Sequence, residues 1–410
     1  MQKDTLEPMT PHIRSMVLVL GMGGLLAGRA LPRAQDSGDL WFPPRGPWPM
    51  VEAGSVGMDS GLLADAVRLA IDAEAATPED LREYISRTLA NEPHGEIVGP
   101  VRDRGPASGV VIRGGHAVAS WGDPDRVDMT FSVTKTYLST VVGMAHDGGL
   151  IPDLGAPVLE TVPTGHFEGA AAAITWEHLL RQTSGWAGTL WGKPDWADRP
   201  PRGVAVADLA ALPRHAPGEG WEYNDVRVNL LAYAALQVWR RPLPVVLRER
   251  LMDPIGASPR WRWHGYRNSW IELDGMRMQS VSGGGHWGGG MWIDSWDQAR
   301  FGLLFLAEGV WDGRRLLSEG FIRQARTPTE TRPGYGFMNW FLNHEGPDGR
   351  RPLPSVPAEA VTFRGAGSNI VYLDPVHRLV IVLRWVDGGR LDEVLGAFVR
   401  AVVPRPGKDR

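Results

Sequence analysis

Ser132-Val133-Thr134-Lys135, running on into Thr136-Tyr137-Leu138-Ser139-Thr140-Val141-Val142-Gly143-Met144-Ala145, decides how this chain of 410 residues is read. Lys135 is one of only four lysines among 43 basic residues, with Lys3, Lys193 and Lys408. Arginine keeps its proton in proteins, whereas a partly buried lysine can lose it and act as a base. The spacing of three places Ser132 and Lys135 on one helical face, the geometry that an activated serine nucleophile needs. Leu138, Val141, Val142 and Ala145 line one side of that helix and Gly148-Gly149 end it. At its start, unpaired backbone N–H groups and the helix dipole favour developing negative charge on or near Ser132. A bare Ser-x-x-Lys is nevertheless a weak motif, so its surroundings must carry the argument.

Working outward, Gly109 to Ala119 reads as a β-hairpin, two short β-branched runs around Gly114-Gly115. Asp59 to Ala73 reads as a capped amphipathic helix. Residues 150–290 read as loops and helices rich in Pro, Gly and Trp. Ser295 to Glu308 reads as a helix, and the C-terminal part returns to strands at Gly334 to Leu342, Val361 to Phe363 with Asn369 to Leu373, and Leu379 to Val386. A last helix covers Leu391 to Val402. Strands at both ends around a helical middle imply an α+β fold with a helical insertion. The expected division is a sheet domain at 41–130 and 291–410 and a mainly helical subdomain at 131–290.

Composition narrows the chemistry. A net charge of −4 gives no reason to expect nucleic acid or an anionic membrane surface as partner. With no cysteine, disulfides, thiolate metal sites and a cysteine nucleophile are excluded. No Gly-x-Ser-x-Gly elbow and no His-Glu-x-x-His occurs, which argues against a Ser-His-Asp hydrolase and a metalloprotease. No metal or cofactor is expected. The 18 tryptophans read mainly as packing, with Trp186, Trp191 and Trp287 as alternative aromatic walls of a substrate cleft. Near the N-terminus, Ser15 to Ala27 is a short apolar run behind His12 and Arg14, followed by Gly28-Arg29-Ala30. It reads as a secretory signal within a leader of residues 1–40, with a periplasmic or secreted mature chain and no stable membrane insertion; a cytoplasmic leader is the alternative.

Two further segments bear on chemistry. Tyr223-Asn224-Asp225 precedes an apolar helix, so the Tyr223 hydroxyl can be presented to a cleft, where a neighbouring ammonium favours its phenolate. Phe363-Arg364-Gly365-Ala366-Gly367-Ser368-Asn369 lies within the C-terminal strand pattern, where glycines allow close backbone approach. Taken in order with Leu179-Leu180-Arg181-Gln182-Thr183-Ser184-Gly185, Leu251 to Gly256 and the block from Gly289-Gly290 to Asp297-Gln298-Ala299-Arg300-Phe301-Gly302, these segments resemble the serine β-lactamase and penicillin-binding-protein-like hydrolases, in particular the branch with class C β-lactamases, esterases and amide-dimer hydrolases. The resemblance runs from about residue 55 to 400.

It implies a β-lactamase-like fold, an antiparallel sheet flanked by helices plus an all-helical subdomain, with the site between. It also implies Ser132 as acylated nucleophile, Lys135 and Tyr223 as proton carriers, and an oxyanion hole from the N–H groups of Ser132 and Ser368. Asp225, Gly365, Gly367, Trp186 and Trp287 complete the expected site. Two departures stand out. Asp225 replaces the family's usual asparagine, and a carboxylate beside Lys135 would favour the ammonium, pushing base duty toward Tyr223. The family's Lys/His-Thr-Gly motif appears as Gly365-Ala366-Gly367, so its cation is missing, and alternation would turn Arg364 to the other face. The expected activity is acyl-enzyme hydrolysis of a small ester or amide; a catalytically weak penicillin-binding or sensor module on the same fold is the alternative. His178 reads as a packing or hydrogen-bonded residue. The run Gly283 to Gly290 around His286 lacks a phosphate-loop ending and reads as backbone packed against the cleft.

Overall fold

The computed structural model describes residues 40–403. The apolar run at 15–27 lies outside the described residues, as does the expected leader apart from Leu40. Among the described residues no helix is long and apolar enough to cross a membrane.

The hairpin around Gly114-Gly115 forms as β1 (Ser108–Arg113) and β2 (His116–Trp121). A short β3 (Asp128–Met129) follows. The stretch expected to be loops and helices instead also contains β4 (Arg262–Leu273) and β5 (Met276–Val281), a long hairpin, and β6 (Gly290–Ile293). This is a correction: the many Trp, Arg and Gly residues there hide an alternation in which only some inward positions are apolar. Phe341–Leu342 makes β7, the only strand to form in the expected run from Gly334. β8 (Val361–Gly365), β9 (Asn369–Asp374) and β10 (Leu379–Arg384) follow.

A six-stranded antiparallel sheet has the order β7–β8–β9–β10–β1–β2, and a four-stranded one the order β3–β6–β4–β5. The chain thus returns from residue 340 onward to pair β10 with β1, the last and first strands among the described residues. Alternation along β10 explains the layers. Val380 and Val382 join the core on one face, while Leu379, Ile381 and Leu383 join the core on the other. Such a two-faced apolar strand must be covered on both sides, each fully buried aliphatic side chain contributing about 1.5–3 kcal/mol. On one face lie α1 (Ser60–Asp72), capped by Asp59 accepting from Leu62 N at 2.8 Å, and the C-terminal helix (Leu391–Arg400). On the other lies the helix Ser295–Leu306, with Phe301 against Phe363.

α2 (Thr134–Asp147) is buried along nearly its whole length, Tyr137 stacking on Phe301 with ring centroids 3.9 Å apart. It is therefore a central helix rather than an amphipathic surface one. α3 (Trp176–Arg181) opens with a capping box: Thr175 Oγ1 accepts from His178 N at 3.1 Å, and Thr175 N donates to His178 Nδ1 at 3.2 Å. His178 thereby has the hydrogen-bonding role expected of it. α4 (Asp225–Trp239) begins beside Tyr223, and Asn224 caps it by accepting from Val226 N and Arg227 N.

Candidate active site

Ser132 lies in a 3₁₀ turn, Phe131–Val133, that feeds directly into α2. Phe131, just before it, has φ 46°, a left-handed conformation that costs a residue with a Cβ about 1–3 kcal/mol. Packing holds it there: its ring meets Trp385 and Tyr84 edge-on at 6.3 and 6.2 Å. The sharp turn leaves Ser132 partly exposed while its neighbours on both sides are buried.

One helical turn on, Lys135 is fully buried, and its Nζ donates to Ser132 Oγ at 2.8 Å. The same Nζ pairs with Asp225 Oδ1 at 2.7 Å and stands 4.7 Å from the centre of the Tyr223 ring. The Tyr223 phenol lies near enough to Ser132 for the two side chains to influence each other. The three residues expected to act together are thus in mutual reach. One expectation about them needs correcting. Burial raises the Tyr223 phenol above its ordinary range and Asp225 adds to this, against the opposing influence of Arg199 and Ser132. Tyr223 therefore rests as a phenol, because desolvation penalises its charged form more than the nearby cations favour it.

The signature after α3 explains how Tyr223 is held. Gln182, in the left-handed position that ends α3, accepts from Asn224 N at 2.7 Å and donates to Tyr335 Oη at 2.9 Å. Its carbonyl accepts from Glu222 N at 3.0 Å, and Thr183 O accepts from Gly218 N at 2.8 Å. The segment is a clamp on the 218–224 loop. Gly185 has φ 57°, and a Cβ there would collide with the His215 carbonyl.

Asp225, as expected, bears on Lys135, but it also meets a residue that sequence reasoning missed. Its Oδ2 lies 2.8 Å from Arg199 Nη1. Burial pushes the Asp225 carboxyl up, but Lys135 and Arg199 together overcome this and hold it well below the usual carboxylate range. Arg199 continues to Asp198 at 2.5 Å, and Asp198 accepts from the Asp225 backbone N–H. Arg199 Nη2 donates to His286 Nδ1 at 3.1 Å, so His286 Nε2 faces Glu92 Oε2 at 2.8 Å and Asp198 Oδ1 at 3.2 Å. Asp198, Asp225 and His286 are buried, whereas 39% of the Arg199 side chain is exposed. Glu92, Asp198 and His286 carry ligand-type atoms close enough to hold a cation, yet the Arg199 guanidinium already supplies positive charge there, and ion pairing accounts for the cluster. A locally unremarkable Asp-Arg pair before Pro200 gives no motif. The one signal was Asp225 itself, a buried acid at a helix start that a single lysine has to share with Ser132.

The glycine run does pack on the cleft, as expected. A Cβ at Gly284 would overlap Asp225 Oδ1 and Lys135 Nζ, and Gly283 N donates to Asn229 Oδ1 at 2.9 Å.

Opposite, β7 pairs only with Val361 and Thr362, which leaves the Gly365 end of β8 as a free edge. A Cβ at Gly365 would collide with the Thr130 carbonyl and stand 3.3 Å from Ser132 N. Gly365 is therefore the strand residue that meets the nucleophile. Ser368, expected to lend its N–H to the oxyanion hole, sits in the turn between β8 and β9 with φ 52°, its Oγ near Gly388. Gly367 has φ 68° and packs on the Trp385 ring. The one-residue alternation turns Arg364 away as expected; its Nε donates to Thr362 Oγ1 at 2.7 Å and its guanidinium covers Phe341.

The aromatic walls also need correction. Trp186 and Trp287 are buried, with 3% and 0% exposure, so they pack rather than line a cleft. Trp186 Nε1 donates to His166 O at 2.8 Å, and Trp191 leans on Tyr233. The half-buried aromatic beside Tyr223 is Trp221, ring centroids 6.1 Å apart, backed by Tyr335 at 5.3 Å. A separate cavity of about 750 Å³ near Arg323 and His344 contains none of these groups.

A serine held by a lysine one turn on, between a two-faced sheet and a buried helical layer, defines a protein of the β-lactamase-like fold. The chain belongs to the beta-lactamase family, whose model matches residues 95–385. A family VIII carboxylesterase has a similar structure, with TM-score 0.52 and 17% identity over 84% of this chain and 99% of that one. A penicillin-binding protein homologue from Caulobacter crescentus has TM-score 0.51 and 17% identity, with coverage of 84% and 99%. An uncharacterised protein of Mycobacterium tuberculosis (strain CDC 1551 / Oshkosh) is 30% identical over 202 residues, covering 43% of this chain and 48% of that protein. The chain thus spans about half the length of the curated relatives it matches.

Proposed function

We propose that this protein is a serine hydrolase of small esters or amides working through an acyl-enzyme on Ser132. The observation that carries this reading is the 2.8 Å contact from Lys135 Nζ to Ser132 Oγ, with the Tyr223 ring centre 4.7 Å from the same Nζ. With Tyr223 resting as a phenol and Lys135 paired to Asp225, the Lys135–Tyr223 pair must shed one proton to become a base. That loss belongs to the pair rather than to either residue. The Ser132 proton then passes to the pair as Oγ bonds to the substrate carbonyl carbon. The carbonyl π electrons move onto oxygen, which rests against the Ser132 N–H and the free backbone edge at Gly365. Collapse expels the alcohol or amine, which takes the proton back. Water, deprotonated by the same pair, attacks the acyl ester, and Ser132 Oγ leaves with its proton restored.

The cation missing from the third motif and the turned-away Arg364 favour substrates without an obligatory free carboxylate there. Trp221 offers a flat apolar surface for the acyl or leaving group. A fluorophosphonate probe with intact-mass detection, combined with p-nitrophenyl ester turnover, tests the reading. We expect labelling and turnover in the wild type and neither in Ser132→Ala. Labelling without turnover of any ester or amide would favour the binding or sensor module instead. An unlabelled wild type would overturn acylation altogether.

A further inference from the structure

We propose that Arg199 is a positioning residue that makes an aspartate workable beside the nucleophile, by dividing the Asp225 charge between two cations so that the Lys135–Tyr223 pair can give up its proton. The inference rests on the hydrolase reading above and deepens it.

The geometry is a chain of alternating charges. Lys135 Nζ holds one Asp225 oxygen at 2.7 Å and Arg199 Nη1 holds the other at 2.8 Å. A carboxylate with Lys135 as sole partner would bind the ammonium tightly at every stage of the reaction, because nothing else in a buried site would neutralise it. Arg199 removes that constraint. Its guanidinium also lies 5.1 Å from the centre of the Tyr223 ring, as Lys135 does at 4.7 Å on the same ring. A fixed positive charge there disfavours further positive charge at Nζ and favours negative charge at the phenol oxygen. The sign is therefore the same whichever member of the pair carries the exchanged proton.

The surroundings confirm that the placement of Arg199 is built rather than incidental. Its backbone has φ 49°, its N–H donates to Glu92 Oε1 at 3.3 Å, and Asp198 and His286 fix both ends of the guanidinium. Around the pair, the charged and titratable groups from each packed segment are Asp225 at the start of α4, Asp198 and Arg199 from the loop before it, and His286 with Glu92 behind them. Tyr266 on β4 and Tyr335 complete the ring, and burial raises both phenols, leaving them uncharged. Among these, Arg199 is the charged partner of Asp225 that solvent also reaches.

The test compares pH profiles of kcat/KM, and of the fluorophosphonate labelling rate, for wild type, Arg199→Gln and Arg199→Lys. In the wild type the rate rises with pH as the pair deprotonates. In Arg199→Gln the midpoint of that rise should move up by about one pH unit or more. Activity at neutral pH should fall roughly tenfold and recover above the new midpoint, with Arg199→Lys in between. Adding Asp225→Asn to Arg199→Gln should return the midpoint toward the wild-type value, since the uncompensated carboxylate is then gone. A loss equal at every pH, or an unshifted midpoint, would reduce Arg199 to a structural role and overturn the inference while leaving the hydrolase reading intact. Should Arg199→Gln fail to fold, the Arg199→Met midpoint decides, since that change also removes the charge: an unshifted value with lowered rates overturns the inference. A wild type that neither labels nor turns over would sink both.

Discussion

The two walls that flank Ser132 are made of different material. One wall, from α2, the start of α4 and the segment at 198–199, is a dense array of charged side chains, with Lys135, Asp225 and Asp198 buried and Arg199 partly exposed. The other, the end of β8, is bare backbone, where Gly365 admits no Cβ beside Ser132 N and Arg364 turns away. The charged wall can move protons and the bare wall can stabilise a developing oxyanion, so each fails in its own way when altered. Charges in a low-dielectric site are intolerant of changed chemistry, whereas a glycine edge is intolerant of added volume.

The largest expected effect lies on the charged wall. Lys135→Arg should lower kcat by at least about a hundredfold, because a guanidinium keeps its proton and cannot share it with Tyr223. Near-normal turnover in a p-nitrophenyl ester assay would take the amine out of the mechanism. Gly284→Ala probes the same wall sterically. Its Cβ would displace Lys135 Nζ and Asp225 Oδ1, and a shift of about 1 Å should cost roughly a hundredfold or slightly less in kcat with KM little changed. An unchanged kcat would mean that the pair need not be so tightly placed.

On the bare wall, Gly365→Ala should lower the labelling rate of Ser132 by about tenfold, as β8 is pushed off the Thr130 carbonyl and its edge donors shift. Ser368→Ala should leave that rate within about twofold, since its Oγ faces Gly388. A larger loss for Ser368→Ala than for Gly365→Ala would show instead that the Ser368 hydroxyl reaches the site. The smallest effect should be Thr175→Ala in the capping box, which costs about 1 kcal/mol of stability with the catalytic pH profile unmoved. Denaturant melts alongside the rate assay separate stability from chemistry.

Much of the fold was legible beforehand because its elements announce themselves locally. Asp59 before an apolar repeat, Gly114-Gly115 between β-branched runs and the apolar stretch at Leu379 each carry their own signal. The hairpin of β4 and β5 was missed because its alternation is interrupted by Arg, Asn and Gly and it leans on the glycine run instead of a continuous apolar face. In the site, Ser132, Lys135 and Tyr223 were legible from residue type and order. Trp186 and Trp287 were misread as cleft walls because a tryptophan beside glycine looks the same whether its ring faces solvent or the core.

The sequence by itself determined the nucleophile, its lysine and tyrosine partners, the missing third-motif cation and the unusual aspartate, since each of these is a matter of which atoms are present and in what order. Only the tertiary structure decided what the aspartate does. Arg199, 26 residues upstream of Asp225, reaches it from a segment held by Asn224 Nδ2 donating to Asp195 O and by His286 and Glu92. Spacing along the chain determines which side chains share one helix turn, but a buried charge takes its partner from whichever distant segment the packed core brings within hydrogen-bonding distance.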